Sequence, residues 1–134
     1  PSLRLIRLMA RVLAFRVGDS YLFDRYFERE YLFEALAEYY DEDTYRFELP
    51  AEALADVQQR LSAAGIKLVA VDDPAPYCVV IDQYEPHSEI LEQAVAAWTR
   101  RNHRFCLMNG DRALADALDM GARRVTETEF VAGL

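Results

Sequence analysis

Four apolar runs, "RVLAFRV", "IKLVAV", "YCVVI" and "RFCLM", are five to seven residues long and are bounded by charged, Gly- or Pro-containing stretches. Runs of that length cannot make a free-standing helix. They read as buried strands, so this chain must build at least one sheet. In the first run the Arg spacing, with Arg4, Arg7 and Arg11 upstream of Arg16, would also suit a helix, and periodicity does not choose between the two.

Between the strands the pattern lengthens to a helical period. Leu22/Tyr26, Phe23/Phe27, Phe33/Leu36 and Leu36/Tyr40 repeat at three- and four-residue spacing, which predicts a long amphipathic helix over 20–40, capped by Asp19 or Ser20. "TYRFEL" alternates like a strand, and Pro50 opens a helix that runs to Ala64 and closes at Gly65. "DDPAP" is a proline-stiffened loop, Pro86 introduces a helix to about Arg101, and "NG" precedes a helix from Asp111 to Gly121. "RRV" is a last short strand, and Thr126 with Glu129 spells a capping box for a terminal turn. The predicted order, β-α-β-α-β-β-α-β-α-β, implies one α/β domain over 1–134: three layers, with a mostly parallel sheet flanked by helices. The β-α-β-β-α-β pattern from Thr44 to Met108 fits a ferredoxin-like α+β unit as the alternative.

Composition narrows the function. The 134 residues carry a formal charge of -8, so a broad basic surface for gripping phosphates is excluded and any nucleic acid would need a local patch. Residues 18–56 hold twelve acids against three Arg, whereas 1–17 hold four Arg and no acid. That asymmetry suggests an arginine end that touches the acidic middle or an acidic partner, or simply a solvated charged surface. Cys78 and Cys106 lie in apolar runs without a C-x-x-C or Cys/His cluster and read as buried small hydrophobes of a reducing compartment. "LRLIRLMARVLAFRV" is too short and too rich in Arg for a membrane span and lacks a small-residue cleavage site, so the expectation is a cytoplasmic protein away from membranes.

Several acids directly follow a strand: Asp19, Asp72 and Asp73, Asp82, and Asp111. In open parallel sheets ligands gather at those ends. Converged carboxylates repel, and a divalent cation is what stabilises them; an all-oxygen set suits Mg²⁺ or Mn²⁺, which can activate water against a phosphodiester.

With these acids in place, the chain resembles the PIN-domain nucleases at four points along nearly its whole length. "AFRVGDSYLF" is similar to the family's first strand and Asp, with Asp19 and Ser20 in those roles. "FELPAEALADVQQRL" places Asp56 where the second acid, more often Glu, lies in a helix. "PHSEILEQAVAA" offers Glu89, or His87 in another register, and "CLMNGDRALADALDMGARRVTETEF" offers Asn109 and Asp111. The resemblance implies a three-layer PIN-like (Rossmannoid) fold and a Mg²⁺/Mn²⁺ ribonuclease, such as the toxin of a toxin–antitoxin pair. Asp19, Asp56, Glu89 and Asp111 would be both the catalytic residues and the metal ligands. It also implies a homodimer and a groove for an antitoxin-like partner helix. "IKLVAVDDPAPYCVVIDQYEP" departs from the family, reading as a strand pair where helices are usual.

Each of these residues also has a plainer use. Asp19 and Asp111 can cap helices, Glu89 can favour the positive end of its helix, and Asp82 and Glu85 are loop acids near the same strand ends. "TRRNHR", with Arg100, Arg101, His103 and Arg104, is together with Arg112 the one candidate surface for RNA, or a helix C-terminus decorated with cations. The eight aromatics from Tyr21 to Tyr40 exceed what one helix face needs. The alternative to the nuclease is therefore a non-catalytic PIN-like or ferredoxin-like regulatory module that binds a protein through this acidic, aromatic segment.

Overall fold

The computed structural model describes residues 10–82 and 87–130. They form two compact units that divide between Val71 and Asp72, each with its own sheet and core cluster.

In the first unit, β1 (Ala10–Val17) and β2 (Ser20–Phe23) form a hairpin. Val17 pairs with Ser20 across a two-residue turn, Gly18-Asp19. Gly18 has φ +63, and a left-handed first central residue is what a tight II′-type hairpin turn asks of glycine. Then follow α1 (Glu30–Leu36), β3 (Tyr40–Asp41), β4 (Arg46–Pro50), α2 (Leu54–Ala63) and β5 (Ile66–Val71). The strand order is β3-β4-β2-β1-β5. Only β1 and β5 run parallel, from Ala10↔Ile66 to Phe15↔Val71; the other three pairings are antiparallel. Val57 and Leu61 of α2 pack with Val12, Ala14, Phe47, Leu49 and Leu68. Gln58 Nε2 donates to the Leu68 carbonyl at 3.0 Å, which ties α2 to β5.

The second unit contains β6 (Cys78–Asp82), α3 (Ser88–Glu92), β7 (Ala94–Arg100), β8 (His103–Met108), α4 (Asp111–Asp119) and β9 (Arg123–Arg124). Its sheet, β7-β8-β6-β9, is antiparallel throughout. Ala113, Leu114 and Ala117 of α4 pack with Val79, Ile81, Ile90, Cys106 and Met108. Gly121, at φ +101, ends the helix as expected.

The chain is thus mixed α/β, and the expectation of one mostly parallel sheet is corrected: there are two sheets, one mixed and one antiparallel. Two misread helices account for the change. Within 20–40, "SYLF" is strand β2, Asp24–Arg29 is not helical, and the helix is confined to Glu30–Leu36 with a 3-10 turn after it. The aromatics recur at helical spacing, but β-propensity and the Gly18-Asp19 turn fold the first four residues back onto β1.

The expected helix to Arg101 stops at Glu92, and "AVAAWTR" becomes β7. Arg101 and Asn102 both have positive φ, +49 and +68, so a two-residue turn returns the chain into β8 and cross-strand pairing overrides the helix propensity of the alanines. Pro86, expected to start that helix, lies outside the described residues, as do Arg4 and Arg7. In the last turn the bonding hydroxyl is that of Thr128, which donates to the Val125 carbonyl at 2.8 Å; Thr126, the predicted cap, is exposed. No described helix is long and apolar enough to cross a membrane.

Candidate functional site

The four predicted carboxylates are all exposed. Asp19 occupies the β1–β2 turn instead of capping a helix, and its main-chain oxygen accepts from Ala51 N–H at 3.1 Å. Asp56 sits in the first turn of α2 and is ion-paired one turn on with Arg60, at 2.9 Å. Glu89 lies in the first turn of α3, preceded by half-buried His87, whose carbonyl accepts from the N–H groups of Ile90 and Leu91. Asp111 is in the first turn of α4, where Gly110 holds the cap position, and it accepts a hydrogen bond from the Tyr77 hydroxyl at 3.1 Å. Asp19 and Asp56 belong to the first unit, Glu89 and Asp111 to the second. Among the described residues no group of three or more His, Cys, Asp or Glu is placed to hold a metal ion.

The remaining candidates have structural uses. Asp73 accepts from Ala75 N–H at 3.1 Å, closing the loop before β6; Asp72 and Asp82 are exposed, and Glu85 lies outside the described residues. Arg100, Arg101, His103 and Arg104 belong to the β7–β8 hairpin and not to a helix C-terminus. The His103 ring lies 4.7 Å from that of Phe130. Cys78 and Cys106 are free and buried. Burial, with the charge of Asp73 and then Cys106 adding to it, pushes the Cys78 thiol up to about 12. Burial alone pushes Cys106 to about 11, against a lowering by Arg104. Thiols held so far above neutrality are not nucleophiles.

The most distinctive constellation lies where the long helix was expected. Phe47 on β4 is fully buried and forms an aromatic hub. Phe23 stacks on it at 4.9 Å, and Phe27, Phe33 and Tyr40 meet it edge-on at 5.7, 6.0 and 5.0 Å. Because Asp24–Arg29 leaves the sheet without becoming helical, Phe27 turns into the core and Tyr26 is left 83% exposed. Phe33, on the outer face of α1, is 38% exposed and packs edge-on against Tyr40 at 5.2 Å. Tyr45, at the end of the β3–β4 loop, is 72% exposed. Tyr26, Phe33, Tyr40 and Tyr45 together with Asp24 line an open cleft of about 530 Å³, with Arg25, Glu28 and Glu30 at the same opening.

Two features of this cleft are energetically unfavourable on their own. Asp24 is half-buried, and burial holds its carboxyl above the usual carboxylate range. Yet among the described residues no hydrogen bond or ion pair satisfies it. The Tyr40 hydroxyl is raised by burial first, then by the neighbouring charges of Asp24, Tyr45 and Glu42. Tyr45, for its part, has φ +56, a left-handed conformation that costs a bulky L-residue about 1 kcal/mol. The loop behind it is fixed by Asp43 N–H donating to Asp41 Oδ1 at 2.9 Å. Strain and unpaired charge of this kind gather at binding sites, where a partner repays them.

A neighbouring hollow of about 580 Å³ runs from Tyr26 and Phe27 to Ala10, Leu32 and Ile66. Its Arg29 is engaged with the Ala64 carbonyl at 3.3 Å and the Tyr31 hydroxyl at 3.4 Å. Sequence reasoning missed Asp24 and Tyr45 as site residues. The signal was present in "FDRYFERE", an acid and aromatics too closely spaced for one helix face to hold them all, and in a Tyr where the turn before β4 asks for Asn or Gly.

No protein-family model matches the chain, and neither does any curated protein or solved structure.

Proposed function

We propose that this chain is a protein-binding module that receives a positively charged segment of its partner in the aromatic cleft of the first unit. The observation that carries the reading is the Asp24 carboxylate, half-buried and without a hydrogen-bond or ion-pair partner among the described residues, in an opening lined largely by aromatic rings. A carboxylate partly withdrawn from water without a partner carries a desolvation cost, and a cation arriving with the ligand offsets it. The aromatic faces of Tyr26, Phe33, Tyr40 and Tyr45 add cation–π attraction, worth about 0.5–2 kcal/mol per well-placed ring. Glu28 and Glu30 line the same opening, with Arg25 the cation among its lining residues, a balance that draws basic segments in and keeps phosphates away. This supports a partner that is a basic polypeptide and not RNA at this cleft.

The test is a titration of the isotope-labelled chain with a short basic peptide and, separately, with its acidic counterpart. The reading expects the basic peptide alone to shift the resonances of Phe33, Tyr40 and Tyr45, with an affinity that falls as salt rises. Equal shifts with the acidic peptide, or none at these residues, overturn it. Mn²⁺- or Mg²⁺-dependent RNA cleavage that Asp19→Asn abolishes would instead favour the PIN-type ribonuclease that the sequence motifs resemble.

A further inference from the structure

We infer that the group this cleft is built to take is an arginine guanidinium presented by the partner, an inference that rests on the protein-binding reading above. Three observations select it among cations. First, Asp24, the half-buried acid among the three that line the cleft, accepts no hydrogen bond from the described residues, so a ligand that satisfies it must bring N–H groups. A quaternary ammonium has none. A guanidinium offers two in a plane that matches the two carboxylate oxygens.

Second, the walls are rings. Phe33 and Tyr40 stand at 65° to each other, and both stand at 66–67° to Phe47. A flat, delocalised cation can lie on one ring face while its edge points elsewhere, which a compact ammonium cannot do. Third, Asp24 is half-buried in the cleft and its carboxyl is raised by burial, so a cation that meets it gives up part of its water. Guanidinium is more weakly hydrated than ammonium and gives up its water at lower cost. Tyr45, 72% exposed, is the lining ring that offers most of its face to a bound group alongside Tyr26.

The experiment uses four short peptides, identical except for a central Arg, Lys, trimethyllysine or citrulline, added to the labelled full chain. The Arg peptide is expected to bind about tenfold more tightly than the Lys peptide, and citrulline, which keeps the plane and loses the charge, to bind about tenfold more weakly than Arg. Asp24→Asn should cost the Arg peptide about tenfold and close most of the gap to Lys. Tyr45→Ala, at an exposed position whose loss leaves the core intact, should weaken Arg binding several-fold with the fold unchanged. Lys or trimethyllysine binding as tightly as Arg overturns the guanidinium assignment and leaves the protein-binding reading standing, whereas citrulline equal to Arg overturns both, because the cleft would then not be reading a charge. No shift at Phe33, Tyr40 or Tyr45 with any cationic peptide overturns both.

Discussion

Asp24 and Tyr45 are residues whose local cost is visible and whose benefit lies outside the chain. Burial raises the Asp24 carboxyl above its usual range, so folding makes its charged form less favourable than it is in the unfolded chain. The sign follows: the penalty on stability is present above the folded pKa and is relieved as pH falls through it, because the folded state then takes up a proton more readily than the unfolded chain. Asp24→Asn should therefore raise the unfolding midpoint at neutral pH, with the gain over the parent shrinking in acid, as thermal melts across a pH series would show. The same substitution should lower cation binding. Tyr45→Asn should likewise leave stability unchanged or raise it by up to about 1 kcal/mol in denaturant titration, since Asn tolerates left-handed φ, while binding weakens. Two substitutions that stabilise the fold and damage recognition would mark a site kept for function.

Turns decide which elements this chain builds, and that is where the sequence was least legible. "IKLVAV", "YCVVI" and "RFCLM" are strands as their apolar runs require, and α2 and α4 lie where Gly65 and Gly121 close them. The segments 20–40 and 94–100 were misread because their helical spacing and alanine content are local signals, whereas the hairpins that claim them are set by Gly18-Asp19 and Arg101-Asn102. Arg-Asn is not a turn signature, so nothing local announces β7; Gly-Asp is one, but before an apolar, aromatic stretch it suits a strand-to-helix junction equally well. Gly18→Ala places no new atom within 4 Å of a neighbour, so its cost is the left-handed φ alone, about 1 kcal/mol by equilibrium unfolding. Phe47→Ala removes the fully buried hub on which four rings pack and should cost about 3–5 kcal/mol.

Across the whole molecule, the net charge of -8 argues against a broad phosphate-gripping surface, and the twelve acids of residues 18–56 against four Arg and no acid in 1–17 suggest an arginine end that meets the acidic middle or an acidic partner, or a solvated surface. The predicted metal set draws Asp19 and Asp56 from one unit and Glu89 and Asp111 from the other, and Asp56 and Asp111 already hold partners in Arg60 and Tyr77. The cleft, by contrast, draws all its residues from the first unit and leaves Asp24 without a partner among the described residues. It was half legible: the aromatic surplus from Tyr21 to Tyr40 pointed to a partner surface, but only the break at Asp24–Arg29 and the β3–β4 loop put the acid and the rings in one place. The most direct measurement is the titration of the Asp24 side-chain carboxyl by NMR, alone and with saturating Arg peptide. The account predicts a value above the ordinary carboxylate range in the free chain that drops when the peptide binds, since a paired cation favours the charged form. An Asp24 carboxyl that titrates identically with and without bound peptide would contradict it.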